Sequence, residues 1–199
     1  MQGIKYFILF MILVGCGNRD LIPSDYVAWV NDSNNGLLKK KSIHPLEVEL
    51  LYKPIPYIIA NEQRSNTIDE GIYQKRMKDL KELQYYTLKL GILGGEFNVS
   101  NYEVSDNATQ QERLNYLSFA MQKDIKLVEG KDTLNCALYH FERSYDITPY
   151  RTFVLAFQQK EINKGKDKTL ILDLAYFKTG PIKLNFKGAD LVRIPNLKL

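Results

Sequence analysis

"KGKDKTLILDLAYFKTGPIKLNF", residues 164–186, is where the fold is easiest to read. A Gly-Lys-Asp phrase at 165–167 marks a turn, and the run from Thr169 that follows is rich in strand formers. Gly180-Pro181 breaks that run, after which Ile182, Leu184 and Phe186 alternate with Lys183, Asn185 and Lys187, the period of a strand with one wet face. A related phrase, "EGKDTL" at 129–134, punctuates the chain upstream in the same way. Together these signals predict strands at about 124–129, 134–144, 151–160, 169–177 and 182–187. The turns fall at Gly130, Asp146 to Pro149, Gly165 and Gly180-Pro181, which makes the series a meander.

Further toward the N-terminus the pattern is mixed. Leu46, Val48 and Leu50 alternate with Glu47 and Glu49 as a half-buried strand does, and Pro54 and Pro56 end it. Tyr73, Met77, Leu80, Leu83, Thr87 and Leu90 recur at helical intervals, so an amphipathic helix is expected over 72–90, stopped by Gly91, Gly94 and Gly95. "EFNVSNYEVS", residues 96–105, reads as a strand, and Thr109 with Glu112 as the capping box of a second helix carrying Leu114, Leu117 and Met121. Ser24 is placed to cap a brief helix holding Tyr26, Val27, Trp29 and Val30, which "NDSNNG" breaks. The basic run Lys39-Lys40-Lys41 reads as a solvated loop. The expected class is α+β, an antiparallel β-meander sheet with two amphipathic helices packed on one face.

The N-terminus carries a different message. In "FILFMILVGCGNRD", residues 7–20, Lys5 precedes an apolar run from Tyr6 to Val14, the order of an export signal and too short to span a bilayer. Leu13-Val14-Gly15-Cys16 resembles the lipobox of bacterial lipoproteins, which implies cleavage before Cys16, acylation of its thiol and a lipid bilayer as the first partner. Gly17 in place of an aspartate favours the outer membrane in that resemblance, and the sparse acidity of "GNRDL" tilts it toward the periplasmic face rather than the surface. The expected layout is a signal peptide at 1–15, a lipidated tether at 16–24 and one domain at 25–199.

Two further stretches extend the resemblance. "YVAWVNDSNNGLLKKKSIHPLEVELLYKPIPYI" and "FKGADLVRIPNLKL" are similar to uncharacterised lipoproteins of Bacteroidetes, at Tyr26, Trp29, Val30, Asn35, Gly36, Leu37, Lys41, Tyr52, Lys53, Pro54 and Tyr57 and again at Asp190, Leu191, Ile194, Pro195 and Leu197. The resemblance covers the two ends and implies no activity.

Composition supports a packed core, at 45% hydrophobic and 12% aromatic residues, while a net charge of +4 with interspersed signs gives no case for nucleic acid. With Cys16 acylated, Cys136 has no intramolecular partner, and its apolar run makes it a small buried hydrophobe. His140 lies four residues on, roughly 13 Å along a strand, too far to act as its base. No P-loop, G-x-S-x-G elbow or metal-ligand spacing occurs, and neither His44 nor His140 sits in a ligating motif, so no cofactor or metal is expected.

Carboxylates are the remaining catalytic candidates. Glu47 and Glu49 share a strand face about 7 Å apart, a separation that glycosidases use, and the same alternation describes a solvated face. Asp173, inside "TLILDLAYF", needs a partner if buried, and Arg143, Arg151 or His140 on neighbouring strands could supply it. Tyr139, Phe141, Tyr145, Tyr150, Phe153 and Phe157 crowd one hairpin, where any exposed ring could stack on a sugar or cover a protein groove. The expectation is a binding or assembly module of the envelope with a protein or glycan partner. An envelope polysaccharide hydrolase using Glu47, Glu49 or Asp173, or an immunity or accessory subunit of a secretion apparatus, are the alternatives.

Overall fold

The computed structural model describes residues 20–95, 98–142, 148–160 and 165–199. Cys16 and the remainder of the segment before Asp20 lie outside the described residues. The described chain opens with β1 (Asp20–Leu21), α1 (Pro23–Asn31), β2 (Leu38–Ile43), β3 (Leu46–Lys53), α2 (Ile55–Gln63) and α3 (Glu70–Leu80). It continues through β4 (Leu83–Ile92), α4 (Asn107–Ser118), β5 (Ile125–Glu129), β6 (Asp132–Asn135) and β7 (Leu138–Glu142). The last elements are β8 (Tyr150–Gln158), β9 (Lys168–Leu172), β10 (Ile182–Phe186), α5 (Gly188–Val192) and β11 (Asn196–Leu197).

The class is α+β, with nine of the described strands divided between two antiparallel sheets where one was expected, and β1 and β11 forming a separate pair. One sheet has five strands in the order β2-β3-β4-β8-β7 and the other four in the order β10-β9-β5-β6. The expected single strand over 134–144 breaks at Cys136-Ala137 because β6 belongs to one sheet and β7 to the other. Their facing sides form the main core: Leu50, Leu88 and Phe153 of the first sheet pack with Leu127, Leu170 and Leu184 of the second. The Tyr86 ring bridges the layers, 5.7 Å from Phe157 beside it and 5.7 Å from Phe186 across the gap. Cys136 is a free, buried thiol at the crossover between the sheets, pushed up to about 11 mainly by burial.

The helix expected over 72–90 ends at Leu80, and its second half is β4. Leu83, Thr87 and Leu90 fit a helical period, but burial alternates at every second residue through Gln84, Tyr86, Leu88, Leu90 and Ile92. Tyrosine, threonine and leucine in "QYYTL" suit a central strand, and pairing on both sides decides the outcome. Residues 98–105, expected as strand, are turns. There Asn98 Oδ1 accepts from the Ser100 N–H at 3.1 Å and from its hydroxyl at 2.9 Å, a local alternative to a ladder.

The capping box is displaced as well. Helix α4 begins earlier, with Asp106 as its cap accepting from the Thr109 N–H at 2.8 Å. Ser24 caps nothing, since α1 starts at Pro23, favoured in the first helical turn. Lys39-Lys40-Lys41 lies in β2 rather than a loop.

A second apolar cluster joins the chain ends. Tyr26, Val30, Leu37, Leu51, Tyr57, Ile59 and Leu197 are buried together, so α1, α2 and the C-terminus pack on one another, and α4 instead seats Tyr116 and Leu117 in the main core. Strand β1 pairs in parallel with β11, which places the first element of the described residues at Asp20, inside the stretch read as tether. Gly36, at φ +79°, lies so close to Asp190 that a Cβ would stand 2.4 Å from its Oδ2.

Candidate functional site

A groove of about 380 Å³ crosses the outer face of the five-stranded sheet where Gly91 leaves a gap. Two cross-strand rows build it. One runs Ser42, Glu47, Gly91, Tyr150 across β2, β3, β4 and β8, and the next runs Lys40, Glu49, Lys89, Thr152. Strand pairing sets these side chains on one face, because each row is a set of directly opposed residues. Gly91 forms the floor: a Cβ there would meet only Tyr150 Cβ at 3.7 Å and Glu47 Cβ at 3.9 Å, ordinary contacts.

Glu49 is fixed between two cations, its Oε2 2.9 Å from Lys40 Nζ and its Oε1 2.9 Å from Lys89 Nζ. Partial burial alone would raise its carboxyl, and the hydrogen bonds from Lys40 and Lys89 outweigh that, leaving it below the usual carboxylate range. Lys89 Nζ also lies 5.2 Å from the centre of the Tyr150 ring, a cation–π contact that props the ring at the groove wall. Tyr150 is among the exposed large hydrophobic side chains of the described residues. The lining holds three lysines, Lys40, Lys41 and Lys89, against Glu47 and Glu49.

The structure thus brings Glu47 and Glu49 together in one groove and leaves the other candidates apart. Asp173 follows β9 in the other sheet and is exposed, its backbone N–H donating to Asp124 O at 2.9 Å, so it needs no buried partner. Arg151 is buried and donates to Ser100 Oγ at 2.9 Å, and Arg143 lies outside the described residues. His140 is exposed on β7, lining a shallow depression with Phe119, Gln122 and Phe141. Phe153 and Phe157 are core, Tyr139 and Phe141 half-buried, and Tyr145 lies outside the described residues.

Glu49 is held ionised by its two lysines, which is not the state a general acid needs. Among the described residues, no three His, Cys, Asp or Glu side chains gather where a metal ion could bind. No helix among them is long and apolar enough to cross a membrane. Gly91, Lys89 and Lys40 complete the groove and escaped the sequence reading, because β4 read as helix and the lysine run as loop, whereas Tyr150 stood among the aromatics read as able to stack on a sugar. Compared with family models, curated proteins and solved structures, the chain matches none.

Proposed function

We propose that this protein is a binding module of the bacterial cell envelope, anchored in the outer membrane through acylated Cys16 and facing the periplasm, with the groove over Gly91 receiving a glycan. The observation that carries the binding reading is the groove itself, a glycine gap walled by an exposed tyrosine and rimmed by charges of both signs. An aromatic edge beside fixed polar groups suits a sugar ring, whose C–H face stacks while its hydroxyls take donors and acceptors. Lys40 and Lys89 take both oxygens of Glu49, which favours recognition over hydrolysis, since a nucleophile or general base needs an oxygen free to face the sugar.

The anchor reading is supported by the lipobox-like segment. With β1 beginning at Asp20, an acyl group on Cys16 leaves a leash of at most about 14 Å. Mass spectrometry of the mature N-terminus from membranes is expected to show a diacylglyceryl group on Cys16, and an unmodified thiol there overturns the anchor.

Gly91→Val tests the groove, because its Cβ is tolerated while its methyls fill the gap. Titration with peptidoglycan-derived and chitin-derived oligosaccharides is expected to perturb the amides of Glu47, Lys89 and Tyr150 in the native protein and not in the variant. Perturbation that survives Gly91→Val, or its absence in both proteins, removes the glycan reading. Cleavage of the sugars during titration replaces binding with hydrolysis.

A further inference from the structure

Gln84 on β4, Lys168 on β9 and Glu129 on β5 meet between the two sheets, 2%, 2% and 0% exposed. Lys168 stands directly opposite Glu129 in the β5–β9 register, and Gln84 reaches both from the other sheet. Lys168 Nζ donates to Gln84 Oε1 at 2.9 Å and to Glu129 Oε1, and Gln84 Nε2 donates to the same Glu129 oxygen at 2.8 Å. The fully buried Tyr86 donates its hydroxyl to Gln84 Oε1 at 2.9 Å, while Gln158 O accepts from Gln84 Nε2 at 3.2 Å.

Each contact has a counterpart in acyl transfer. Lys168 supplies an amine, and with a C=O bond of about 1.23 Å its Nζ stands no more than about 4.1 Å from Gln84 Cδ. The Tyr86 hydroxyl points at the oxygen on which negative charge develops when that carbon is attacked, the place of an oxyanion donor. Burial pushes the phenol well above its ordinary range, so it stays a donor. Glu129 Oε1 touches both the amine and the amide nitrogen, so one carboxylate can take a proton from the first and hand it to the second. Burial also keeps bulk water from competing for the acyl carbon. A cleft of about 470 Å³ that reaches Gln84 and Lys168 past Leu83, Leu191 and Val192 gives a small leaving molecule its way out.

We propose that Lys168 Nζ and Gln84 Cδ join in an intramolecular isopeptide bond with release of ammonia. The structure holds the cluster before reaction, as an ion pair with its hydrogen bonds. Lys168 first passes a proton to Glu129 and becomes a neutral amine. Its lone pair attacks Cδ, and the carbonyl electron pair moves onto Oε1, where the Tyr86 hydroxyl stabilises it. Glu129 gives its proton to Nε2 and takes one from Nζ. The Cδ–Nε2 bond then breaks, its electron pair leaves with ammonia, the carbonyl re-forms and Glu129 remains protonated. No oxidant or co-reactant enters. Gln84 is the acyl donor rather than Glu129, because two hydrogen bonds polarise its carbonyl, whereas a carboxylate resists a nucleophile. The product links residues 84 positions apart and fastens the five-stranded sheet to the four-stranded one, which restricts the unfolded chain as a disulfide does. It depends on neither the glycan reading nor the anchor.

The test is mass spectrometry of the purified full chain, held folded for increasing times, then denatured and digested with trypsin. The native protein is expected to yield the peptide carrying Gln84 joined to the one carrying Lys168, lighter than their sum by one ammonia and uncut after Lys168. Glu129→Gln removes the proton carrier and is expected to slow the accumulation of that product about a hundred-fold. Tyr86→Phe keeps the ring and the folded circular-dichroism spectrum, removes the oxyanion donor and is expected to slow it by about as much. The native protein decides the matter even where a variant fails to fold. Separate Gln84 and Lys168 peptides at all times, a link from Lys168 to Glu129 with loss of water, or an unchanged rate in either variant each overturn the proposal.

Discussion

The Glu49 carboxylate, 26% exposed, takes a lysine on each oxygen on the outer face of the five-stranded sheet, whereas Glu129 meets Lys168 between the sheets with side chains 0% and 2% exposed. Both are glutamates in strands facing lysines on the neighbouring strand. Water makes the outer pairs replaceable, because each partner left alone can be solvated. The inner pair has no such refuge. Desolvating both ions costs several kcal/mol each, and their mutual attraction offsets it together with the bond Gln84 donates to Glu129 and the bond it accepts from Lys168. What the inner cluster adds is alignment: Gln84 on β4 ties to Glu129 on β5 and Lys168 on β9, so it links the two sheets at one relative position.

The largest effect should come from breaking the inner pair on one side. Lys168→Met takes the Lys168 ammonium away from buried Glu129, and urea denaturation is expected to show a loss of about 3–5 kcal/mol. Adding Glu129→Gln removes the stranded charge while keeping an acceptor for Gln84, and is expected to recover most of that loss. A double variant as unstable as the single one would mean that side-chain shape rather than charge holds the site.

The same two residues show how much of the molecule could be read in advance. Glu129 and Lys168 belong to the paired phrases "EGKDTL" and "KGKDKTL", which correctly mark the turns at Gly130 and Gly165. The strands that follow the phrases were legible because their alternation is local. That Glu129 and Lys168 stand opposite each other depends on β5 pairing with β9, a long-range fact with no local trace. β4 failed for another reason: Leu83, Thr87 and Leu90 satisfy a helical period by coincidence, and only two neighbouring strands reveal the period of two. That error hid the groove, since Gly91 and Lys89 join Glu47 and Glu49 only once β4 lies beside β3. The carboxylate row itself was visible, because alternation within β3 is again local.

The outer pair gives the smaller and more condition-dependent effect. Glu49→Gln is expected to cost at most about 1 kcal/mol near neutral pH in low salt, and less as the Debye length shortens from about 10 Å at 0.1 M toward about 3 Å at 1 M salt. Its pH dependence has a definite sign. Partial burial opposes ionisation, the two lysines more than compensate, and the folded carboxyl lies below its unfolded value. The stability from this group is therefore present above the unfolded pKa and is lost as pH falls through the folded one. The gap between native protein and Glu49→Gln should close on the acid side of the ordinary glutamate range. Lys89, 36% exposed and stacked toward Tyr150, should matter more than Lys40 at 65%. If Lys40→Ala narrows the gap as much as Lys89→Ala does, solvent screening does not rank these pairs, and the contrast with the inner cluster must rest on packing instead.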